Sequence, residues 1–450
     1  MAQSGRYRQL RALAYALGAA AFILAFFHRV APGAIAADLR ATFDTSATTL
    51  GFIAAFYFYP YAAMQLPSGV LADSIGPRRL FTAGSVVAGI GSLVFAFAPD
   101  VAWLLAGRAL VGLGVAVAFV SVLKLIASWF KEHEFGTWVG VLMLVGNLGG
   151  VLATYPLGWI VQYVSWRTVF VMTGVLSLAL ALCIWLWVRD DPREAGLPSP
   201  HALDGKADSA GTHAGWWDGV ARVVRNRDTW PGFFMHLGLI GSYLTFTGLW
   251  AVPYLTDGLG LTRASATLHV TATIIAFAFG SFAVGTISDR MGRRLPLLRA
   301  LSLLYLTSWL PWMMGWPLPL AASIAAFSLM GIGIAGASLA WALAKELNPP
   351  GLSGTATSLV NTGGFLGTAL FQPLVGWVLD RSGAGTALVG YRSGAAVLAV
   401  IALIGVVAAL IMPQASRAGN RVGVGGCRTR DGAEGGTRTP TGYPTRPSNV

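Results

Sequence analysis

His28, Arg29, Arg108, Lys124, His236 and His269 stand inside stretches of the chain that are otherwise apolar. Every Asp and Glu lies at the end of such a stretch or in a polar loop, Glu346 coming nearest to an interior. A charge in hydrocarbon costs about 2.5–3.5 kcal/mol on insertion scales, so one that is kept there serves a purpose. Fixed charge of one sign also limits the chemistry. A cavity with arginine or lysine and no carboxylate suits a carboxylate or phosphate, which a guanidinium grips through two parallel hydrogen bonds. A lipophilic cation would need a carboxylate instead.

The apolar stretches read as membrane spans. Hydrophobic residues make up 55% of the chain and charged ones 11%, where a soluble domain carries about 25% charged. The mean hydropathy is +0.63. Twelve helical spans are predicted, at about 10–36, 48–72, 79–98, 101–127, 135–160 and 167–188, then 230–256, 265–288, 296–315, 317–344, 353–379 and 387–412. The fold class is therefore an all-α polytopic membrane protein. The first stretch is too long for the core of a cleaved signal peptide. Residues 189–229 form a polar linker, ending in "WWDGVARVVRNRD", whose pattern fits an amphipathic helix on the membrane surface. Residues 414–450, rich in Gly, Arg, Thr and Pro, read as a disordered tail.

Charge sets the orientation. With the N-terminus inside, only Arg40, Arg167, Arg263, Arg381 and Arg392 of the 31 Lys+Arg residues fall in outer loops, and most of the rest are cytoplasmic. Both termini are then cytoplasmic, and the net charge of +12 describes topology, so nucleic-acid binding is a poor reading of it. Cys183 and Cys427 are the only cysteines, which argues against a disulfide framework or a cysteine metal site. No cofactor or metal is expected.

The halves repeat. "GVLADSIGPRR" (69–79) closes the second span and "GTISDRMGRR" (285–294) the eighth, with Gly69 and Asp73 matching Gly285 and Asp289 at one interval. "GLG" at 112–114 returns as "GIG" at 331–333. The 69–79 loop resembles the signature loop of the major facilitator superfamily, and "GRALVGLG" (107–114) resembles its fourth-helix motif. "KLIASWFKEHEFGTWVGVLMLVGNLGG" (124–150) is similar to a stretch of that superfamily's sugar-phosphate and organic-anion permeases. The resemblance covers residues 10–412 and implies two pseudo-symmetric six-helix bundles around a central cavity, an N-terminal one (1–188) and a C-terminal one (230–413). It also implies a latch formed by Gly69, Asp73, Gly76 and Arg78, with Gly285, Asp289, Gly292 and Arg293 as its second copy. That latch would hold the halves closed on the cytoplasmic side.

Arg29 is the leading candidate for a substrate's counter-charge. It lies about 27 Å along a helix that starts near Arg11, past the midplane. Pro32 cannot donate to the carbonyl of His28, which loosens the helix there. His28 and Arg29 are about 100° apart around the axis, so one of them at most faces a cavity squarely, and Arg29 is preferred. Tyr57, Tyr61 and Gln65 share one helical face and with Lys124, Asn147, Tyr243, Trp250 and Asn361 complete the candidate lining. Arg108 has two readings, a proton-coupling residue as in the superfamily's drug antiporters, or a brace bonded to backbone carbonyls. Helix 7 lacks the second arginine expected of phosphate-exchanging members; His236 is its only ionisable group.

The expected function is secondary transport of a small organic anion (a sugar acid, sugar phosphate, carboxylate or small peptide) across the cytoplasmic membrane. The protein is expected to be a monomer whose coupling ion is a proton or a counter-anion, with membrane lipid as its surroundings. The alternatives are a proton-coupled exporter of drugs or metabolites and a non-transporting sensor of the same fold. No nucleophile–base constellation suggests an enzyme.

Overall fold

The structure is a computed structural model that describes residues 2–198, 216–382 and 386–413. Part of the predicted linker (199–215) and the predicted tail (414–450) lie outside the described residues. The helical spans are α1 (Ala2–Ala34), α2 (three pieces, Ala47–Ala55, Phe58–Ala63 and Pro67–Ile75), α3 (Pro77–Ala96), α4 (Val101–Trp129), α5 (Glu132–Leu152 and Tyr155–Ile160) and α6 (Trp166–Trp187). After the linker come α7 (Arg227–Gly258), α8 (Arg263–Met291), α9 (Arg294–Thr307 and Leu310–Met314), α10 (Leu320–Glu346), α11 (Ser353–Arg381) and α12 (Ala387–Ile411). Among the described residues, ten runs are long and apolar enough to cross a membrane. α2 and α9, cut into short pieces, occupy the remaining predicted positions. The predicted surface helix is present as Trp216–Arg225.

Proline decides where the spans break. A proline has no N–H for the carbonyl four residues back. Pro60, Pro67, Pro156 and Pro311 leave Phe56, Ala63, Leu152 and Thr307 without that bond. The helix pieces end at Ala55, Ala63, Leu152 and Thr307, at or one residue before those carbonyls. Pro32 and Pro373 lie inside unbroken helices. Side-chain caps mark several starts: Ser46, Asp100, Ser165 and Thr262 accept from the backbone N–H of Thr49, Trp103, Arg167 and Ser265. All four caps lie at the far face, defined as the one where α1 ends; the near face is the one where it begins. Phe282, Met172 and Ile411 are exposed on the outer surface of the bundle, as lipid-facing side chains are in a membrane protein.

Residues up to Pro413 form one compact unit, and its two halves meet unevenly along their length. Toward the far face the backbones touch. A Cβ on Gly51 of α2 would stand 2.5 Å from the Gln372 carbonyl of α11, and one on Gly376 would stand 2.3 Å from the Ala47 carbonyl. Gly33 of α1 faces the Gly248 carbonyl of α7 in the same way, at 3.1 Å. α5 meets α8 through Thr154 and Thr271, whose hydroxyls are 2.7 Å apart. Charges reinforce this end. Arg263 pairs with Asp38 at 3.0 Å, Arg40 with Asp257 at 3.7 Å, and the Asp380 carboxylate accepts from the backbone N–H groups of Ala47 and Thr48 at 2.9 Å. At the near face, Gly69, Gly136, Gly285 and Gly354 have nothing within 4 Å of an added Cβ. The conformation is tight at the far face and loose at the near one.

Thermal unfolding of the detergent-solubilised protein should separate the two ends. Gly51→Ala must displace backbone and is expected to cost about 1–3 kcal/mol. Gly69→Ala, a helix-interior glycine in open space, is expected to leave stability unchanged or to raise it by up to about 1 kcal/mol.

Candidate functional site

The site is organised by Arg108 of α4, which is 1% exposed. Because Pro32 has no N–H, the His28 carbonyl lacks its helical partner. Arg108 Nη1 donates to that carbonyl at 2.7 Å. Its Nε and Nη2 donate to the Ile53 and Ala54 carbonyls at 3.3 and 3.4 Å, where the first piece of α2 breaks off. The guanidinium lies 4.8 Å over the Tyr57 ring. Of the two readings of Arg108, this geometry is that of the brace, since its donors go to backbone carbonyls of α1 and α2.

Arg29, one residue from the braced carbonyl, is 8% exposed. Its guanidinium carbon lies 4.6 Å from the Phe26 ring centre, 5.2 Å from that of Tyr61 and 5.0 Å from that of Phe365 on α11. Nη2 donates to the Tyr61 hydroxyl at 3.2 Å, and Nε has no partner. No carboxylate among the described residues forms an ion pair with it. Aromatic faces stabilise a desolvated guanidinium by about 2 kcal/mol each at best, which holds the cation but leaves it short of a counter-ion. Tyr57 stacks on Tyr61 at 5.7 Å, and Tyr61 meets Phe365 at 4.4 Å. Toward the near face, Asn361 Nδ2 of α11 donates to Gln65 Oε1 of α2 at 2.8 Å.

The structure thus brings Tyr61, with Tyr57 stacked on it, to Arg29, and joins Gln65 to Asn361 one helical turn further toward the near face. It does not bring the other candidates to Arg29. The His28 ring packs against Phe27 and Phe170, inside the N-terminal half. Lys124 is ion-paired with Asp73. Asn147 donates back to the Met143 carbonyl of its own helix at 2.8 Å. Tyr243 packs on Phe277, and the Trp250 indole N–H donates to the Gln372 carbonyl at 3.0 Å. Two of the rings against Arg29 escaped sequence reading. Phe26 is one turn before Arg29 on the same face, a signal that was available; Phe365 comes from the other half and had none beyond sharing a helical face with Asn361.

The motif loops are bonded within their own halves. Besides the Asp73–Lys124 pair, the Arg78 guanidinium donates to the Trp185 carbonyl and its backbone N–H to Asp190. Burial raises the Asp190 pKa, against the opposing pull of that Arg78 N–H. Gly76 has φ +84° and packs on the Asp190 carboxylate. In the second copy Arg294 bonds both Glu346 at 2.7 Å and Asp289 at 3.5 Å, Gly292 ends α8 with φ +61°, and Arg293 precedes the first turn of α9.

Removing the brace is expected to be costly. Arg108→Met strands three buried carbonyls and should lower unfolding stability by about 3 kcal/mol or more. Arg108→Lys, a point charge without the planar fork, should recover only part of that. Melting curves of the two variants check the order.

A model of the Major Facilitator Superfamily matches residues 17–372, and again 236–426. The chain is 24% identical over 379 residues to the probable sulfoacetate transporter of Cupriavidus necator, covering 80% of this chain and 86% of that one. It is 27% identical over 405 residues to the D-galactonate transporter of Escherichia coli, covering 85% and 92%. Its fold matches the crystal structure of a bacterial homologue of the human lysosomal transporter Spinster, in an inward-facing and unoccupied conformation. The TM-score there is 0.71 at 18% identity, over 90% of this chain and 97% of that one. With twin loops, a twelve-segment helical fold and a family match spanning both halves, the chain is a multi-pass membrane protein that belongs to the Major Facilitator Superfamily.

Proposed function

We propose that this transporter moves a small organic anion across the cytoplasmic membrane by alternating access, with Arg29 holding the anionic group. The observation that carries the reading is the state of Arg29: a buried cation boxed by three aromatic rings, with an unused Nε and no carboxylate partner. A substrate carboxylate, phosphate or sulfonate supplies the missing charge and accepts from the guanidinium. The similar proteins named for sulfoacetate and D-galactonate support an acidic substrate. Both termini are placed on the cytoplasmic side by the distribution of Lys and Arg. The near face is then cytoplasmic, and the open glycines there support an inward-facing state. Tyr61 positions the guanidinium, while Gln65 and Asn361, bonded across the halves, line the way in from the near face. Closure there would engage the Asp73 and Asp289 loops, and coupling to a proton or to a counter-anion is compatible with this frame.

The test is flux in proteoliposomes. Wild-type protein should exchange or accumulate an organic anion, and Arg29→Gln should abolish it. Losing one partner of a buried charge contact costs about 2–5 kcal/mol, which predicts a drop in kcat/KM of roughly 30-fold or more. Arg29→Gln that folds and transports organic anions as well as wild type would overturn the proposal.

A further inference from the structure

Gln372 of α11 is fully buried, yet neither its Oε1 nor its Nε2 has a hydrogen-bond partner among the described residues. Other buried or half-buried amides do better: Asn348 bonds Thr229 and the Ala344 carbonyl, and Asn226, Asn147 and Asn361 are likewise paired. An unsatisfied buried amide costs about 1–3 kcal/mol for each stranded group, which singles this side chain out for a ligand contact. Gln372 meets Trp250 and Gly51 through its backbone carbonyl, so its amide takes no part in those contacts.

Its position says what it faces. Asn361, Phe365 and Gln372 are spaced by four and seven, which sets them along one side of the helix. Gln372 lies two turns beyond Phe365 toward the far face, about 10 Å along the axis. Its Nε2 reaches the seam between the halves: a methyl group added at Gly248 of α7 would lie 3.7 Å from Gln372 Nε2 and 3.8 Å from the Arg29 carbonyl. The amide therefore converges on the stretch of α1 that carries Arg29, from the opposite half and from the side away from the Gln65–Asn361 pair.

We infer that Gln372 is a specificity residue of the Arg29 site, whose amide bonds the hydroxyl groups of a polyhydroxylated acid anchored by its acid group at Arg29. The inference rests on the transport reading above and narrows its substrate class. An amide offers both donors and an acceptor, which pairs with hydroxyls that also donate and accept; an acid group offers oxygens alone. A two-carbon anion without hydroxyls offers such an amide nothing beyond its acid oxygens, whereas a sugar-acid chain carries several hydroxyls along its length.

The experiment compares two anions in proteoliposomes: D-galactonate, a polyhydroxylated acid, and sulfoacetate, a two-carbon anion without hydroxyls. Gln372→Met keeps the length and removes the polar atoms. It is expected to raise the KM for D-galactonate about tenfold relative to that for sulfoacetate, the loss of about 1.4 kcal/mol. A second measurement needs no variant: hexanoate, which has no hydroxyls, should compete with D-galactonate on wild-type protein at least tenfold more weakly than D-galactonate itself. An unchanged KM ratio in folded Gln372→Met, hexanoate competing as well as D-galactonate, or wild-type flux confined to sulfoacetate would each overturn the inference and leave the anion-transport reading standing. Flux that survives Arg29→Gln for every anion would instead overturn that reading, and this inference with it.

Discussion

The site depends on one guanidinium bonded to a carbonyl that proline leaves vacant. Pro32 removes the helical partner of the His28 carbonyl, and Arg108 fills the place at 2.7 Å while holding the broken edge of α2 at Ile53 and Ala54. A buried arginine is expensive unless its donors are used, and here they fasten two other helices, α1 at one carbonyl and α2 at two. The result is a rigid corner between α1, α2 and α4. Arg29 follows His28 on α1, and Tyr57 and Tyr61 follow the break in α2, so the corner sets the geometry of the aromatic box. His28, Arg29 and Pro32 of α1 thus belong to one arrangement, in which His28 contributes its backbone carbonyl and Arg29 its side chain.

The same residue types serve different ends according to what is beside them. Lys124 is near a span end and has Asp73 within reach, so its charge is spent on an ion pair. Arg108 donates to backbone carbonyls and lies over the Tyr57 ring. Arg29 meets aromatic rings and a hydroxyl, which leaves a positive charge with no fixed counter-ion. Embedded positive charge in this chain is thus divided among an ion pair, a set of bonds to backbone carbonyls and a cation held by aromatic rings.

How much of this was legible in the sequence follows from range. Proline acts four residues away, so the breaks in α2, α5 and α9 and the vacant carbonyl at residue 28 could be read from spacing. The twin loops and the twelve spans rest on pattern and were equally accessible. Contacts between the halves were not. Phe365 reaches Arg29 from a helix more than three hundred residues later, and Gln372 looks in the sequence like any polar residue before a proline. The glycines show the same limit. Gly69 and Gly285, marked by the twin loops, face open space here, while Gly51 and Gly376, with no motif to mark them, carry the tight seam. Which end of a two-state molecule is packed depends on its conformation, and composition alone carries no record of that.

The cation–π contact between Arg29 and Phe365 joins the two halves at a cation with no carboxylate partner among the described residues. An anion that pairs with Arg29 weakens the field that draws it to the ring, so occupancy and the strength of the contact between the halves are thermodynamically linked. Ligand affinity must then differ between conformations that keep this contact and those that lose it, by the same free energy with which the ligand shifts their populations. With an anion bound at Arg29, a single side chain so placed would make the empty and loaded protein differ in how firmly the halves adhere, without any separate sensing element.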